Sequence, residues 1–330
     1  MIWVACLGPI ACAQPGPPAP APSTGPSFHI VALGDSYAAG QGAPDEEWKW
    51  WKCGTPRWDD KRCNRSLNAA TYHAVEVLRQ QGNAVAYDSF ACSGAKIESG
   101  LIDSYDGSQP PIGPHIPLPP QVDELANLVS TGDADAVTIS IGGNDILFAF
   151  IVGDCIAMPN CNVSKIIIDQ LLADLPRRLQ LLAQRLALIP IESERIFLLG
   201  YPNPTQDSDG SYCDGVPLGD VLAGVSGAEA MWVAEYVLPR LNRAICLAAQ
   251  THGWTYVGGA ADRFAQHGWC AQPQNWINTV WESGKKQRHP GGAVHPNRQG
   301  YGEVGDLIAT AVEPLLAGQS PTSSPCPAIP

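Results

Sequence analysis

Residues 30–44 read IVALGDSYAAGQGAP. Ile30–Leu33 are apolar without alternation, the pattern of a strand buried on both faces. The run stops at Gly34-Asp35-Ser36, and small residues with two further glycines follow. A buried strand that ends by offering a hydroxyl either needs a turn at that point or needs the serine where the turn puts it.

Working outward, similar apolar runs recur at 28–33 (FHIVAL), 84–90 (AVAYDSF), 135–141 (DAVTISI), 195–200 (RIFLLG) and 254–257 (WTYV). Helical periodicity covers about 68–81, 119–130, 164–188, 227–251 and 298–316. Apolar strands alternating with helices specify an α/β fold with a parallel sheet of about five strands, covered on both faces. Ligand sites in such sheets lie beyond the carboxyl ends of the strands. The first three strand ends carry Gly34-Asp35-Ser36, ACSGA (91–95) and GGND (142–145). VHPNRQGYGEV places His295 just before the last helix. All four segments should therefore converge on one edge.

The 330 residues are 45% hydrophobic and 16% charged, enough to build a sizeable core. A net charge of −12 argues against a nucleic-acid partner, which needs clustered Lys and Arg. No apolar run is long enough for a transmembrane helix. Residues 1–13 read as an export signal, apolar and ending in a small-residue cleavage pattern. Lipid attachment at Cys12 is disfavoured by Pro9. Residues 14–27 are a Pro-rich linker, 28–317 the single folded domain, and 318–330 a flexible Pro/Ser-rich tail. Eleven cysteines, nine of them after residue 13, suit an oxidising, secreted or periplasmic location. Cys155 and Cys161 are close enough to clip a loop, and the odd count leaves a free thiol. Cys246, in a helical pattern, reads as a small buried hydrophobe. No metal-ligand cluster or cofactor motif occurs, and a monomer is expected.

A serine hydroxyl becomes a nucleophile when a neighbouring base takes its proton. Ser36 is the candidate nucleophile and His295 the candidate base. The tetrahedral intermediate of acyl transfer needs donors aimed at its oxyanion. The backbone N–H groups of Ser36 and Gly94 and the side-chain amide of Asn144 fill that need. Singly, each motif has an ordinary reading: a turn, a helix cap, or Pro at a helix start. Their ordered placement at strand ends gives the set its meaning.

GDSYAAG, ACSGA, GGND and HPN together resemble the four blocks of the SGNH hydrolases, also called GDSL esterases/lipases, over about residues 29–316. The resemblance implies a flavodoxin-like three-layer α/β/α sandwich, Ser36 as nucleophile, His295 as base, and Gly94 and Asn144 as oxyanion donors. CNRS (63–66) and HGWC…NWIN (267–278) resemble the secreted bacterial branch. That likeness implies disulfides Cys63–Cys92, Cys155–Cys161 and Cys213–Cys270, with Cys53, Cys246 and Cys326 left over and Cys53–Cys63 as the local alternative. The family's Asp three residues before the histidine is here Gly292. A main-chain oxygen between Gly291 and Ala293, with Gly292 at its centre, is expected to orient His295. A carboxylate from Asp35 or Asp145 is the rival.

DEEWKWWKCGTPRWDD (45–60) carries Trp48, Trp50, Trp51 and Trp58 just after the nucleophile turn. It reads either as a substrate wall or as an insert that packs its own rings. The expected activity is hydrolysis of small-molecule, lipid or carbohydrate esters. Carbohydrate O-acetylesterase, phospholipase and thioesterase specialisations stay open. So does a silent carbohydrate- or surface-binding protein on the same fold.

Overall fold

The computed structural model describes residues 28–132, 134–148, 150–151, 162–215 and 224–329. Five parallel strands, Phe28–Gly34 (β1), Val85–Ser89 (β2), Ala136–Ser140 (β3), Ile196–Leu199 (β4) and Thr255–Val257 (β5), form one sheet in the order β2-β1-β3-β4-β5. This is the flavodoxin-like strand order. Its reversal of direction lies between β1 and β3, where such sheets open a crevice for ligands.

Alternate residues of each strand feed two cores. Ile30, Val85, Ala136, Phe197, Leu199 and Val257 pack under the helices Ala70–Gln80 (α2) and Arg298–Leu316 (α9). Val31, Leu33, Val137, Ile139 and Leu198 face Gln121–Thr131 (α3), Asn162–Leu186 (α4) and Leu238–His252 (α6). In α4 the buried residues Leu175, Leu179, Leu182 and Leu186 recur at helical spacing and make one apolar stripe. The three layers follow from strands that are apolar on both sides.

The helical pattern over 227–251 is interrupted. Gly227–Trp232 (α5) passes through a π turn at Val233–Val237 before α6 begins. Pro239 has no N–H to return to the preceding turn, and the widened turn accommodates it. Three short helices carry no periodic signal in the sequence: Ser36–Ala39 (α1), Ala260–Arg263 (α7) and Val280–Gln287 (α8). Each is too short to show a repeat.

The cysteines correct part of the expected framework. Cys63–Cys92 and Cys213–Cys270 are bonded as the resemblance implies. Cys246 is not a lone hydrophobe: it bonds Cys326 across 80 residues. Cys53 is a free, exposed thiol, so the Cys53–Cys63 alternative falls. Cys155–Cys161, the export signal and the linker lie outside the described residues.

The tail after residue 317 is fastened, not flexible. Besides the Cys326 bridge, Ser324 N–H donates to the Tyr256 carbonyl and Tyr256 N–H donates to Ser323 Oγ. Arg243 donates to the Pro327 carbonyl. β5 is an edge strand with unpaired backbone groups, and the tail satisfies them. Composition alone gave no sign of that partnership.

Candidate active site

β1 ends at Gly34, whose φ of +131° and 2.1 Å approach of an added Cβ to the Ser140 carbonyl oxygen leave no room for a side chain. The Gln121 amide clamps Gly34 from both sides, accepting its N–H at 2.7 Å and donating to its carbonyl at 2.9 Å. Asp35 caps α1 by accepting the Tyr37 N–H, so Ser36 sits at the first helical position.

His295 arrives from the other end of the chain. Asn297 of the HPN motif caps α9, accepting the Gly300 N–H, and holds the Asn275 carbonyl through its own amide. His295 Nε2 stands 2.7 Å from Ser36 Oγ, and its Nδ1 stands 2.9 Å from the Ala293 carbonyl oxygen. A carbonyl only accepts, so Nδ1 carries the proton and Nε2 accepts from the Ser36 hydroxyl. The orienting oxygen belongs to Ala293, one residue beyond the expected Gly292. Gly292 O is engaged instead with the His295 N–H. The rival carboxylates are occupied elsewhere: Asp35 by Tyr37 and Tyr201, Asp145 by Ile97 N–H and Arg178.

Between Ala293 and His295 stands Val294 at φ +58°, a left-handed conformation that a β-branched residue rarely adopts. Such a conformation costs about 1–3 kcal/mol and persists only where its surroundings impose it. Here they do. The Tyr37 hydroxyl donates to the Val294 carbonyl at 2.6 Å, and the Val294 N–H donates to the Asn278 carbonyl at 2.9 Å. The resulting bend turns the Ala293 carbonyl back onto the imidazole.

Gly94 has φ +85°, and a Cβ there would meet the Tyr105 hydroxyl at 2.3 Å. Neither its N–H nor that of Ser36 finds an acceptor among the described residues. Asn144 spends one amide hydrogen on the Ala95 carbonyl at 3.0 Å, which fixes the group and leaves the other free. Ser36, Asn144 and His295 line a common cavity of about 210 Å³. Gly94 is not among its lining residues, although its neighbour Ala95 is bonded to Asn144. Phe148, Tyr201, Pro202, Leu238, Leu241 and Val294 make the rest of its wall chiefly apolar.

Tyr201 went unremarked in the sequence, although it follows β4 and the strand-end rule points at it. Its hydroxyl donates to Asp35 Oδ2 at 2.5 Å and accepts the Gly143 N–H at 3.0 Å. One group thus ties the turn bearing Ser36 to the turn bearing Asn144. Asn242 of α6 clamps the Tyr201 backbone on both sides. Burial raises the Asp35 carboxyl to about 7, against the downward pull of the Tyr201 and Tyr37 hydrogen bonds. Burial lowers His295 to about 4, only partly offset by the Ala293 carbonyl. No carboxylate pulls the other way.

The tryptophans do not form a wall. None of Trp48, Trp50, Trp51 and Trp58 lines the cavity. Trp58 is buried at 8% exposure, Trp48 lies under the Arg288 guanidinium, and Trp50 and Trp51 point into solvent. After α1 the chain turns away at Gly40 and Gly42, both left-handed, and Asp45 pins it to Ser66 and Leu67.

A flavodoxin-like sheet with a serine–histidine pair at its β1/β3 crevice defines a class of α/β hydrolytic folds. The chain belongs to the GDSL-like lipase/acylhydrolase family, whose model matches residues 32–302. Its fold is that of the SGNH hydrolases. It is similar to the extracellular lipase of Streptomyces rimosus, at 22% identity and a TM-score of 0.54, over 86% of this chain and 98% of that one. It is also similar to phospholipase A1 of Streptomyces albidoflavus NA297, at 22% identity and a TM-score of 0.53, over the same shares. No curated protein sequence matches the chain.

Proposed function

We propose that this protein is an exported serine esterase that cleaves carboxylic esters of acyl chains through an acyl-enzyme on Ser36. The supporting observation is the Ser36 Oγ–His295 Nε2 contact at 2.7 Å on the wall of an apolar cavity. Ser36 Oγ attacks the ester carbonyl while His295 Nε2 takes its proton. The Ser36 and Gly94 N–H groups and Asn144 Nδ2 receive the oxyanion. His295 then returns the proton to the departing alkoxide, and water repeats the sequence to free the acid.

The Ala293 carbonyl holds the imidazole in the active tautomer but carries no charge. The catalytic unit is therefore a dyad. A neutral partner stabilises the imidazolium less than a carboxylate does, consistent with the depressed His295. The apolar cavity favours an acyl chain over acetyl and over sugar hydroxyls. Three disulfides among the described residues support an oxidising compartment.

The test is a p-nitrophenyl ester series from acetate to long chains, with wild type and Ser36→Ala. kcat/KM should rise with chain length until the cavity is filled, and the variant should be silent. Hydrolysis that survives in Ser36→Ala overturns the assignment.

A further inference from the structure

The Trp-rich insert has no role in the cavity, yet its geometry is specific. Glu46 and Arg57 pair in antiparallel fashion and define the base of a loop. At its tip the Lys52 N–H donates to the Lys49 carbonyl at 3.1 Å, closing a turn with Trp50 and Trp51 at its two corners. Thr55 Oγ1 locks the turn, accepting the Lys49 N–H and donating to the Lys52 carbonyl. Turn corners ordinarily hold Gly, Pro, Asn or Asp. Here they hold the two largest apolar side chains available, at 80% and 67% exposure. Such exposure gains nothing for folding.

The surroundings are cationic. The Trp48 N–H donates to the Lys286 carbonyl and Arg288 lies over the Trp48 ring, so the insert rests on the end of α8. On α8, Lys285 sits over Trp281, a ring 61% exposed. Segments 45–65 and 280–289 hold nine of the chain's 20 Lys and Arg but only six of its 32 Asp and Glu. Most of those acids are engaged locally: Glu46 with Lys52 and, at 3.6 Å, with Lys49, Asp59 and Asp60 with Arg65, Asp45 with Ser66, Glu282 in a helix cap. The acidic remainder of the molecule is screened beyond about 10 Å at moderate salt. Two residues past Arg288, Pro290 and Gly291 line the catalytic cavity.

We propose that the Trp50–Trp51 turn, with Lys49 beside it and Lys285 and Arg288 on the α8 segment against which the insert rests, docks the protein on an anionic phospholipid surface. Indole rings prefer the headgroup boundary, and ammonium and guanidinium groups beside them pair with lipid phosphates. A polysaccharide fits less well. The Trp50 and Trp51 rings stand at 86° and offer no common platform, and neutral sugars have no use for the cations. Docking would set the cavity mouth beside the lipid from which an acyl ester is drawn. In that respect the inference rests on the proposed esterase reading.

The experiment is co-sedimentation with phosphatidylcholine vesicles, with and without phosphatidylglycerol, using wild type, Ser36→Ala, Trp50→Ser/Trp51→Ser and Lys49→Glu/Lys285→Glu. Wild type and Ser36→Ala should bind the anionic vesicles alike, so the docking result stands or falls apart from catalysis. The tryptophan pair should weaken binding by about ten-fold or more. It should leave melting temperature and hydrolysis of a monomeric short-chain ester unchanged. The lysine pair should weaken binding and flatten its salt dependence. Indole emission should shift blue on vesicles and be quenched by brominated lipid. Vesicle binding that is absent in wild type, or undiminished in the tryptophan variant, overturns the proposal, as does a preference for polysaccharide over vesicles.

Discussion

The cavity beside Ser36 and the turn at Trp50–Trp51 are both apolar, and they are built in opposite ways. The cavity is concave, walled by five separate chain segments, and its polar atoms are held by named partners. The turn is convex and local, held by bonds among Lys49, Lys52 and Thr55. The cavity therefore depends on the whole fold, whereas the turn depends on the stretch from Lys49 to Thr55. Substitutions around the cavity should change turnover, and those at the turn should leave turnover of soluble ester alone.

The largest expected effect is Ser36→Ala. It should lower kcat by at least about 10⁴-fold, with melting temperature nearly unchanged, because the hydroxyl faces the cavity. Next is Asn144→Ala, which should lower kcat by roughly 10²–10³ with little change in KM, the cost of one oxyanion donor. A rise in KM alone would show that Asn144 binds substrate in its ground state.

Tyr201→Phe should cost less, about ten-fold in kcat. It keeps the ring but unties Asp35 from Gly143, so the turns bearing Ser36 and Asn144 lose their common tether. Affinity for a boronic-acid transition-state analogue should fall in step with kcat/KM, while product inhibition stays constant. A fall in melting temperature with unchanged kcat would reduce Tyr201 to a structural role.

The pH profile separates this dyad from a carboxylate triad. In the proposed mechanism the neutral imidazole of His295 is the active base, and its folded value near 4 lies below the ordinary 6.5. Protonation of His295 should thus lower kcat/KM only through about pH 4, and a step near pH 7 would belong to the Asp35 carboxyl instead. The stability sign runs the same way. The unfolded chain binds the proton more readily, so this group subtracts stability as pH falls from 6.5 toward 4. Far-ultraviolet circular dichroism at each pH distinguishes lost activity from lost fold.

The smallest effect on turnover should come from Cys246→Ser/Cys326→Ser, remote from the cavity. Its cost is about 2–4 kcal/mol, on the order of 5–10 °C in melting temperature, with kcat at 25 °C retained. A large loss of kcat would mean that the tail at the β5 edge reaches the site after all.

Much of this was legible beforehand because buried parallel strands carry an unbroken apolar signal. β1, β3 and β4 lie within a residue or two of their expected limits, since each must be apolar on both faces. The four site segments were legible because a parallel sheet sends its strand ends to one edge. α1, α7 and α8 were not, because one or two turns carry no period. Cys246–Cys326 was missed because pairing depends on where two distant residues meet, and the tail's composition mimics a free linker.

Side-chain pattern along the chain was enough for the α/β architecture, for the edge on which chemistry is possible, and for directing Ser36, Gly94, Asn144 and His295 toward it. Packing between distant segments was needed to establish which carbonyl faces His295, that Tyr201 joins the Ser36 and Asn144 turns, and that the tryptophans stand outside the cavity. The reason is physical. Strand and helix content follows from local side-chain periodicity. The direction of a single carbonyl or ring depends on one backbone angle, and here distant partners impose that angle, as Tyr37 and Asn278 hold Val294 at φ +58°.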